Sequence, residues 1–182
     1  MCQSRENSLI QDVKRSNASQ PLRWSATKEK MSFPPILKPE ESFLKAVGEE
    51  NLLQMVIHHH RLLQKSEISY MYPTDEEAFM EGVHKAAHFF IQALGGGNVY
   101  TKAYGAPSMC RTHAPFAIDA HAREVWLKYY AQTLQEIAFP KAYLEQFWTW
   151  IETFSLRMIN RAAPHTYAKR LFFHDVQKEY GW

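Results

Sequence analysis

From residue 39 onward, the apolar side chains of this 182-residue chain recur at helical spacing, and no segment alternates between apolar and polar residues as a half-buried strand does. Pro140 is placed to open one helix, and Gly95-Gly96-Gly97 is placed to stop another. Thr74 or Asp75, and Asp119, can cap two more. The pattern predicts an all-α fold, with helices over residues 39–48, 49–65, 74–94, 119–137, 140–159 and 166–180 and a brief turn over 67–72.

Charge and hydropathy exclude two classes of protein. The chain has 21 basic and 19 acidic residues, and its net charge of +2 is too small for a nucleic-acid binder. No window holds about eighteen uninterrupted apolar residues, so the sequence predicts no membrane span. The two cysteines, Cys2 and Cys110, imply no disulfide framework and favour a reducing compartment, which we take to be the cytoplasm.

Composition divides the chain into three segments. Residues 1–38 are rich in Ser, Asn, Gln and basic side chains, which predicts a largely disordered N-terminal extension with Met31 as an alternative start. Residues 39–160 carry most of the helical pattern and form the predicted domain. Residues 161–182 are expected to add an amphipathic helical extension. Either extension is a candidate for contacts in a homodimer, and a monomer is the alternative.

The block His113-Ala114-Pro115-Phe116 carries the candidate for metal chemistry. A haem iron needs a neutral imidazole on one side, a wall of apolar and aromatic groups around the macrocycle, and cations or hydroxyls near the propionates. Pro115 stops a helix from running on, so it can hold His113 at a fixed angle. Taken alone, such a histidine is more often a structural residue. A zinc site built from Cys110 and His113 is a poorer interpretation, because no second pair of ligands follows with comparable order.

The wider pattern resembles the second group of truncated haemoglobins, over about residues 39–160. Members of that group carry a Gly-Gly doublet, a Tyr-Thr pair, a Gly-x-Pro turn, the sequence His-Ala-Pro-Phe-x-Ile and a Trp on the following helix. The matching residues here are Gly95-Gly96, Tyr100-Thr101, Gly105-Ala106-Pro107, His113 to Phe116 with Ile118, and Trp126. The resemblance implies a two-over-two helical sandwich, with extensions at both termini, that holds haem b with His113 as the proximal iron ligand.

The resemblance also implies how other residues contact the haem. Trp126 would face the bound ligand with its indole N–H, which can only donate a hydrogen bond. Tyr72 would pack against the porphyrin edge on the same side. Arg111 and Lys102 are candidates for pairing with the propionates, because Thr112 stands where the family often sets an arginine. The wall around the haem would be formed by Ala86, Phe89, Phe90, Tyr100, Met109, Phe116 and Ile118.

The chain departs from the family on its second helix, where a tyrosine is expected over the iron. The segment here reads Ile57-His58-His59-His60-Arg61, and the spacing from Tyr72 leaves His59 or His60 nearest that position, with His60 slightly favoured. Such an imidazole would donate a hydrogen bond to bound dioxygen or ligate the iron. The alternative is a surface cluster in which two of the three histidines point to solvent, since neighbouring helical residues lie about 100° apart.

The next helix is expected to leave a roomy pocket above the haem. Gly82 and Ala86 are the small residues that the alignment with the family sets there. His84 and His88 lie on neighbouring positions, and a slip of two residues in that alignment would put one of them inside the pocket.

Three functions follow from these expectations. The favoured one is a haem b protein that reversibly binds dioxygen or other diatomic ligands such as nitric oxide and carbon monoxide. The second is a haem enzyme for nitric oxide dioxygenation or peroxide reduction, which would depend on an external reductase because the chain carries no flavin or nicotinamide signature. The third is a haem-free sensor or scaffold on a globin fold. The presence of His113 as a candidate iron ligand argues against it.

Overall fold

The computed structural model describes residues 33–161 and 168–182, and within them the chain forms eight α-helices and no β-strand. Predictions for residues 1–32, including most of the N-terminal extension and the start at Met31, lie outside the described residues. None of the described helices is long and apolar enough to cross a bilayer. The helices are α1 (Ser42–Val47), α2 (Glu49–Leu63), α3 (Glu76–Ala93), α4 (Val99–Tyr104), α5 (Met109–His113), α6 (Ala120–Glu136), α7 (Lys141–Ser155) and α8 (Phe173–Tyr180), with 3-10 turns at Ser69–Met71 and Leu156–Met158.

Four long helices form the body of the fold. Helix α2 packs against α3 and also against α6, and α6 in turn packs against α7. Aromatic rings fill the space between them: Phe43 stacks on Phe147 at 5.9 Å between ring centroids, and Phe90 meets Trp150 edge to face at 5.1 Å. Burying one such ring completely contributes roughly 1.5–3 kcal/mol. The predicted all-α, two-over-two sandwich is confirmed.

Residues at the helix ends determine where these helices begin and end. The side chains of Asp75 and Asp119 accept hydrogen bonds from the backbone N–H groups of Ala78 and Ala122, so both residues act as N-caps. At the end of α3, a side chain at Gly96 would stand 2.2 Å from Ile91 Cγ2, which only glycine avoids. The close approach explains why residue 96 is glycine, and Gly95, with φ +104°, takes the backbone out of the helix.

The segment between α3 and α6, for which the sequence predicted no helix, contains the short helices α4 and α5. Helix α4 is held from outside by Gln92, whose side chain donates to Thr101 Oγ1 at 2.8 Å and accepts from the Thr101 backbone at 2.9 Å. His113 is the last residue of α5. Cys110, also on α5, is disulfide-bonded, which differs from the expectation of a chain without disulfides. The compartment inferred from the cysteines therefore stays a prediction.

The last helix begins at Phe173, later than the predicted start at residue 166. The residues just before it are extended because side chains of the globular body bind their backbone groups. Trp148 Nε1 donates to the Leu171 carbonyl at 2.6 Å, and Glu152 Oε1 accepts from the Leu171 N–H at 3.2 Å. A helix through this segment would have to give up both bonds.

A buried ion network connects this C-terminal segment to α6 and α7. Arg123 Nη2 lies 2.6 Å from Glu152 Oε1, and the two side chains are 1% and 3% exposed. Arg123 also donates to Ser155 Oγ at 3.0 Å and to the Lys169 carbonyl at 2.7 Å. Arg170 Nε donates to both Glu152 carboxylate oxygens at 3.0 Å. Each charge is therefore paired and hydrogen-bonded, as a buried charge must be.

Glu152→Ala should lower the free energy of unfolding by about 3–5 kcal/mol, because it leaves Arg123 buried without its counter-ion. The measurement is urea denaturation followed by circular dichroism. Glu76→Gln, which breaks the exposed pair between Glu76 and Arg61, is the control and should leave the midpoint nearly unchanged. A loss below about 1 kcal/mol for Glu152→Ala would contradict the prediction, because leaving a buried charge without its counter-ion destabilises the fold by more than that.

Candidate functional site

A cavity of about 320 Å³ lies among α3, α5, α6 and the turn before α3. Cofactor pockets span roughly 300–1,000 Å³ and have mostly apolar walls with a few polar groups. Of the residues predicted for the haem site, all but His59, Lys102 and Arg111 line this cavity. They are His60, Tyr72, Ala86, Phe89, Phe90, Tyr100, Met109, His113, Phe116, Ile118 and Trp126, and the small residue Gly82 joins them.

His113 presents one defined nitrogen to the cavity. Its Nδ1 lies 2.8 Å from the carbonyl oxygen of Met109, one turn earlier on α5. A carbonyl can only accept, so Nδ1 carries the proton and Nε2 keeps its lone pair. Burial lowers the pKa of His113, and the bond to Met109 offsets only part of that effect, so the ring is neutral at neutral pH. A neutral imidazole with a free Nε2 is what haem iron requires.

Asn160 holds the loop that follows His113, and sequence reasoning missed it. Its side-chain Nδ2 donates to the His113 carbonyl at 2.9 Å, and its Oδ1 accepts from the Ile118 N–H at 3.1 Å. The amide thus connects the backbone of His113 with that of Ile118, which follows the His-Ala-Pro-Phe block. An asparagine after α7 gives no signal in the sequence, because the contact crosses more than forty residues of chain.

The three histidines of α2 have three different environments. His58 Nε2 lies 2.5 Å from Glu136 Oε2 at the surface. His59 is fully buried, stacks on Tyr130 at 3.5 Å between ring centroids, and has Nε2 3.0 Å from the Trp126 carbonyl. Only His60 lines the cavity. The alternative in which two of the three point to solvent is wrong, because His59 is buried and His60 faces the cavity.

The tautomer of His60 differs from the one that a hydrogen-bond donor to dioxygen would need. His60 Nδ1 lies 2.8 Å from the Val56 carbonyl, so Nδ1 carries the proton. Burial lowers the pKa of His60 to about 4 despite that bond, so the ring is neutral at neutral pH. Its Nε2 therefore offers a lone pair and not an N–H group.

The donors of the cavity are Trp126, Tyr72 and Tyr130. The indole N–H of Trp126 has no acceptor among the described residues, and the Tyr130 hydroxyl is buried without a partner there. Burial raises the pKa of Tyr72 and of Tyr130, so both phenols stay protonated. Tyr130 was not among the residues predicted for the site, although its position one turn after Trp126 sets it on the same face of α6.

The cations proposed for the propionates do not reach the cavity. Arg111 and Lys102 are both exposed and neither lines it. The basic residues that do line it are Lys85 and Arg123, and Arg123 is already engaged in the buried ion network. Lys85, whose ammonium lies 5.4 Å from the Tyr104 ring centroid, is thus the candidate that was missed. His84 and His88 stay outside the cavity lining, as the favoured alignment has it.

Comparison with known proteins gives a consistent set of relatives. A family model described as bacterial-like globin matches residues 42–160. The group 2 truncated haemoglobin YjbI of Bacillus subtilis (strain 168) is 26% identical over 117 residues, which cover 64% of this chain and 86% of that protein. The structure of phosphate-bound Hell's gate globin IV is 36% identical, with a TM-score of 0.79 over 86% of this chain and 99% of that one. The truncated oxygen-avid haemoglobin from Bacillus subtilis is 25% identical, with a TM-score of 0.60 over 64% of this chain and 98% of its own.

Tyr130→Phe should leave the stability of the haem-free protein unchanged or raise it by about 1 kcal/mol. The variant removes a buried hydroxyl that has no partner among the described residues, and such a group costs roughly 1–3 kcal/mol. Urea denaturation of the haem-free protein measures the change, with Tyr129→Phe on the same helix as the control. A destabilisation of more than about 1 kcal/mol would show that the hydroxyl has a bonding partner.

Proposed function

The chain belongs to the bacterial-like globin family, whose model matches residues 42–160, and on this premise we propose that it is a haem b protein that reversibly binds dioxygen and other diatomic ligands. Globins bind haem and diatomic gases, and the specific assignment to this chain is the proposal. The observation that carries it is the hydrogen bond from His113 Nδ1 to Met109, which leaves Nε2 free at the wall of an aromatic cavity.

The residues of the cavity fit a haem. Its walls are apolar and aromatic, with an unpaired imidazole nitrogen on His113 and a buried hydroxyl on Tyr130 that has no partner among the described residues. Buried polar atoms are normally hydrogen-bonded, so an unpartnered one in a cavity supports a site for a bound group. When bound, the haem supplies an iron with an open coordination position.

Side chains at the cavity would have different roles toward the haem and its ligand. His113 would hold the iron through Nε2, while Met109 and Asn160 keep the ring and the following loop in place. Phe89 and Phe90 give the cavity apolar walls, and such surroundings would strengthen any hydrogen bond made inside. Trp126 would donate its N–H to the partly anionic oxygen of a bound dioxygen.

Peroxide reduction with an external reductant is a second candidate, and one observation favours it. His60 Nε2 is an acceptor at the cavity wall, as a base for a protonated ligand would be. Neither nitric oxide dioxygenation nor a haem-free scaffold is favoured by a comparable feature.

His113→Ala should abolish the normal haem complex, because the variant has no imidazole at the end of α5. The expected result is low haem content after titration with haem b, a displaced Soret band, and partial recovery when free imidazole is added to the buffer. His84→Ala, on the exposed face of α3, is the matched control and should bind haem normally. A normal ferrous spectrum for His113→Ala without imidazole would refute the assignment.

Trp126→Phe should release dioxygen about fivefold faster, because one hydrogen bond worth on the order of 1 kcal/mol is lost. Stopped-flow mixing of the oxygenated ferrous protein with carbon monoxide measures the release rate. Trp148→Phe serves as the control, since Trp148 Nε1 already donates to the Leu171 carbonyl and Trp148 does not line the cavity. Equal release rates for wild type and Trp126→Phe would place the indole N–H away from the ligand.

A further inference from the structure

The buried ion network beside the cavity contains more positive than negative charge. Arg123 and Arg170 both bind the carboxylate of Glu152, with Nη2 of each lying 2.6 Å and 2.9 Å from its oxygens. The side chains of the three residues are only 1%, 16% and 3% exposed, in the order Arg123, Arg170 and Glu152. A guanidinium is not deprotonated in proteins. Two cations on one carboxylate therefore leave one positive charge in excess.

The other groups around Arg123 stabilise this charge without cancelling it. Arg123 donates to Ser155 Oγ at 3.0 Å and to the backbone carbonyls of Glu152 and Lys169 at 2.9 Å and 2.7 Å. All three of these acceptors are neutral. Glu124 is a further carboxylate that attracts Arg123, but it is partly exposed, so solvent screens it. The excess positive charge is therefore not neutralised by its buried neighbours.

Arg123 brings the network to the wall of the cavity that His113 also lines. Ser155, to which Arg123 donates, belongs to the same lining. Lys85 lines the cavity as well, but its side chain is partly exposed, so its charge is better screened by solvent. The buried positive charge at this wall thus comes from α6 and, through Arg170, from the C-terminal segment.

Stability does not account for the second arginine. One guanidinium is enough to neutralise Glu152, and Arg123 already binds it. Removing a charge from water costs free energy that a buried ion pair often fails to recover. A second guanidinium on the same carboxylate adds to that cost, so its presence indicates a role for the excess charge itself.

On the basis of the proposed function, we infer that the net positive charge of Arg123, Glu152 and Arg170 stabilises ferrous over ferric iron in the bound haem. The two states differ by one electron, which an external one-electron donor supplies, and by no atom. The ferric state has one more positive charge, so a buried cation at the cavity wall disfavours it. Dioxygen binds to ferrous iron, so Arg170 gives the C-terminal segment a part in keeping the protein ready for its ligand.

The test removes one charge of each sign and measures the ferric–ferrous midpoint potential of the full-length, haem-loaded protein. The potential is obtained from the Soret band during titration with dithionite in the presence of redox mediators. Arg170→Gln makes the network neutral, so the ferrous-to-ferric ratio at a fixed potential should fall about tenfold, which is a shift of about 59 mV for one electron. Glu152→Gln leaves two uncompensated cations and should raise the ratio by about the same factor.

Two further variants separate charge from structure. Arg170→Lys keeps the positive charge and should keep the ratio within about twofold of wild type. Lys169→Gln is the matched control: it removes a positive charge at the neighbouring exposed residue, while the backbone carbonyl still accepts from Arg123, and solvent screening should limit its effect to less than about twofold. The Soret band of the ferrous carbon monoxide complex should be the same in every variant, which reports an intact haem site.

Either of two outcomes would overturn the inference alone. One is a midpoint potential that is equal in wild type and Arg170→Gln. The other is a potential for Arg170→Lys that is as low as for Arg170→Gln, because the geometry of the arginine and not its charge would then matter. Both outcomes are decided by the Arg170 variants even if Glu152→Gln fails to fold. Failure of the proposed function looks different: no Soret band forms on adding haem, or His113→Ala binds haem as wild type does.

Discussion

The contact between α2 and α6 at His59 sets the geometry of the distal half of the cavity, which is the half lined by His60, Trp126 and Tyr130. His59 Nε2 lies 3.0 Å from the backbone carbonyl of Trp126, and its ring stacks on Tyr130 at 3.5 Å between centroids. A fully buried imidazole loses its bonds to water, so this bond must be made for the two helices to meet at all. With His59 committed to α6, helical geometry turns His60 about 100° away, toward the cavity. One buried bond therefore places the acceptor and the two donors around the same space.

The proximal half depends on hydrogen bonds that reach across the chain. Helix α5 is only five residues long, too short to be stable on its own. Asn160, which follows α7, ties both ends of the loop after His113. Arg123, which lines the cavity, is held through Glu152 and the Lys169 carbonyl, so the described C-terminal residues 168–182 also support the cavity wall. An imidazole at the end of so short a helix keeps its place because distant residues hold its surroundings.

The features that could be predicted from the sequence are those that depend on residues close to them in the chain. The long helices, the caps at Asp75 and Asp119, and the stop at the glycine triplet each depend on residues within one turn of the feature. The features that were missed depend on hydrogen bonds from residues outside the feature itself: α4 on Gln92 of α3, the extended start of the last segment on Trp148, and the loop clamp on Asn160. Lys85 and Tyr130 were missed for a related reason, since only packing shows which face of a helix meets a cavity.

His113 and His60 have the same local chemistry, and they differ in the helices that carry them. Each ring donates Nδ1–H to a carbonyl four residues earlier at 2.8 Å, and burial lowers the pKa of each. Each therefore offers the lone pair of Nε2 to one cavity. The difference lies in the backbone: His113 ends a short helix just before Pro115, whereas His60 lies within the long helix α2, which is packed on both α3 and α6. The same tautomer thus occurs at the end of a short helix and inside a long one, and under the proposed function only His113 would hold the iron.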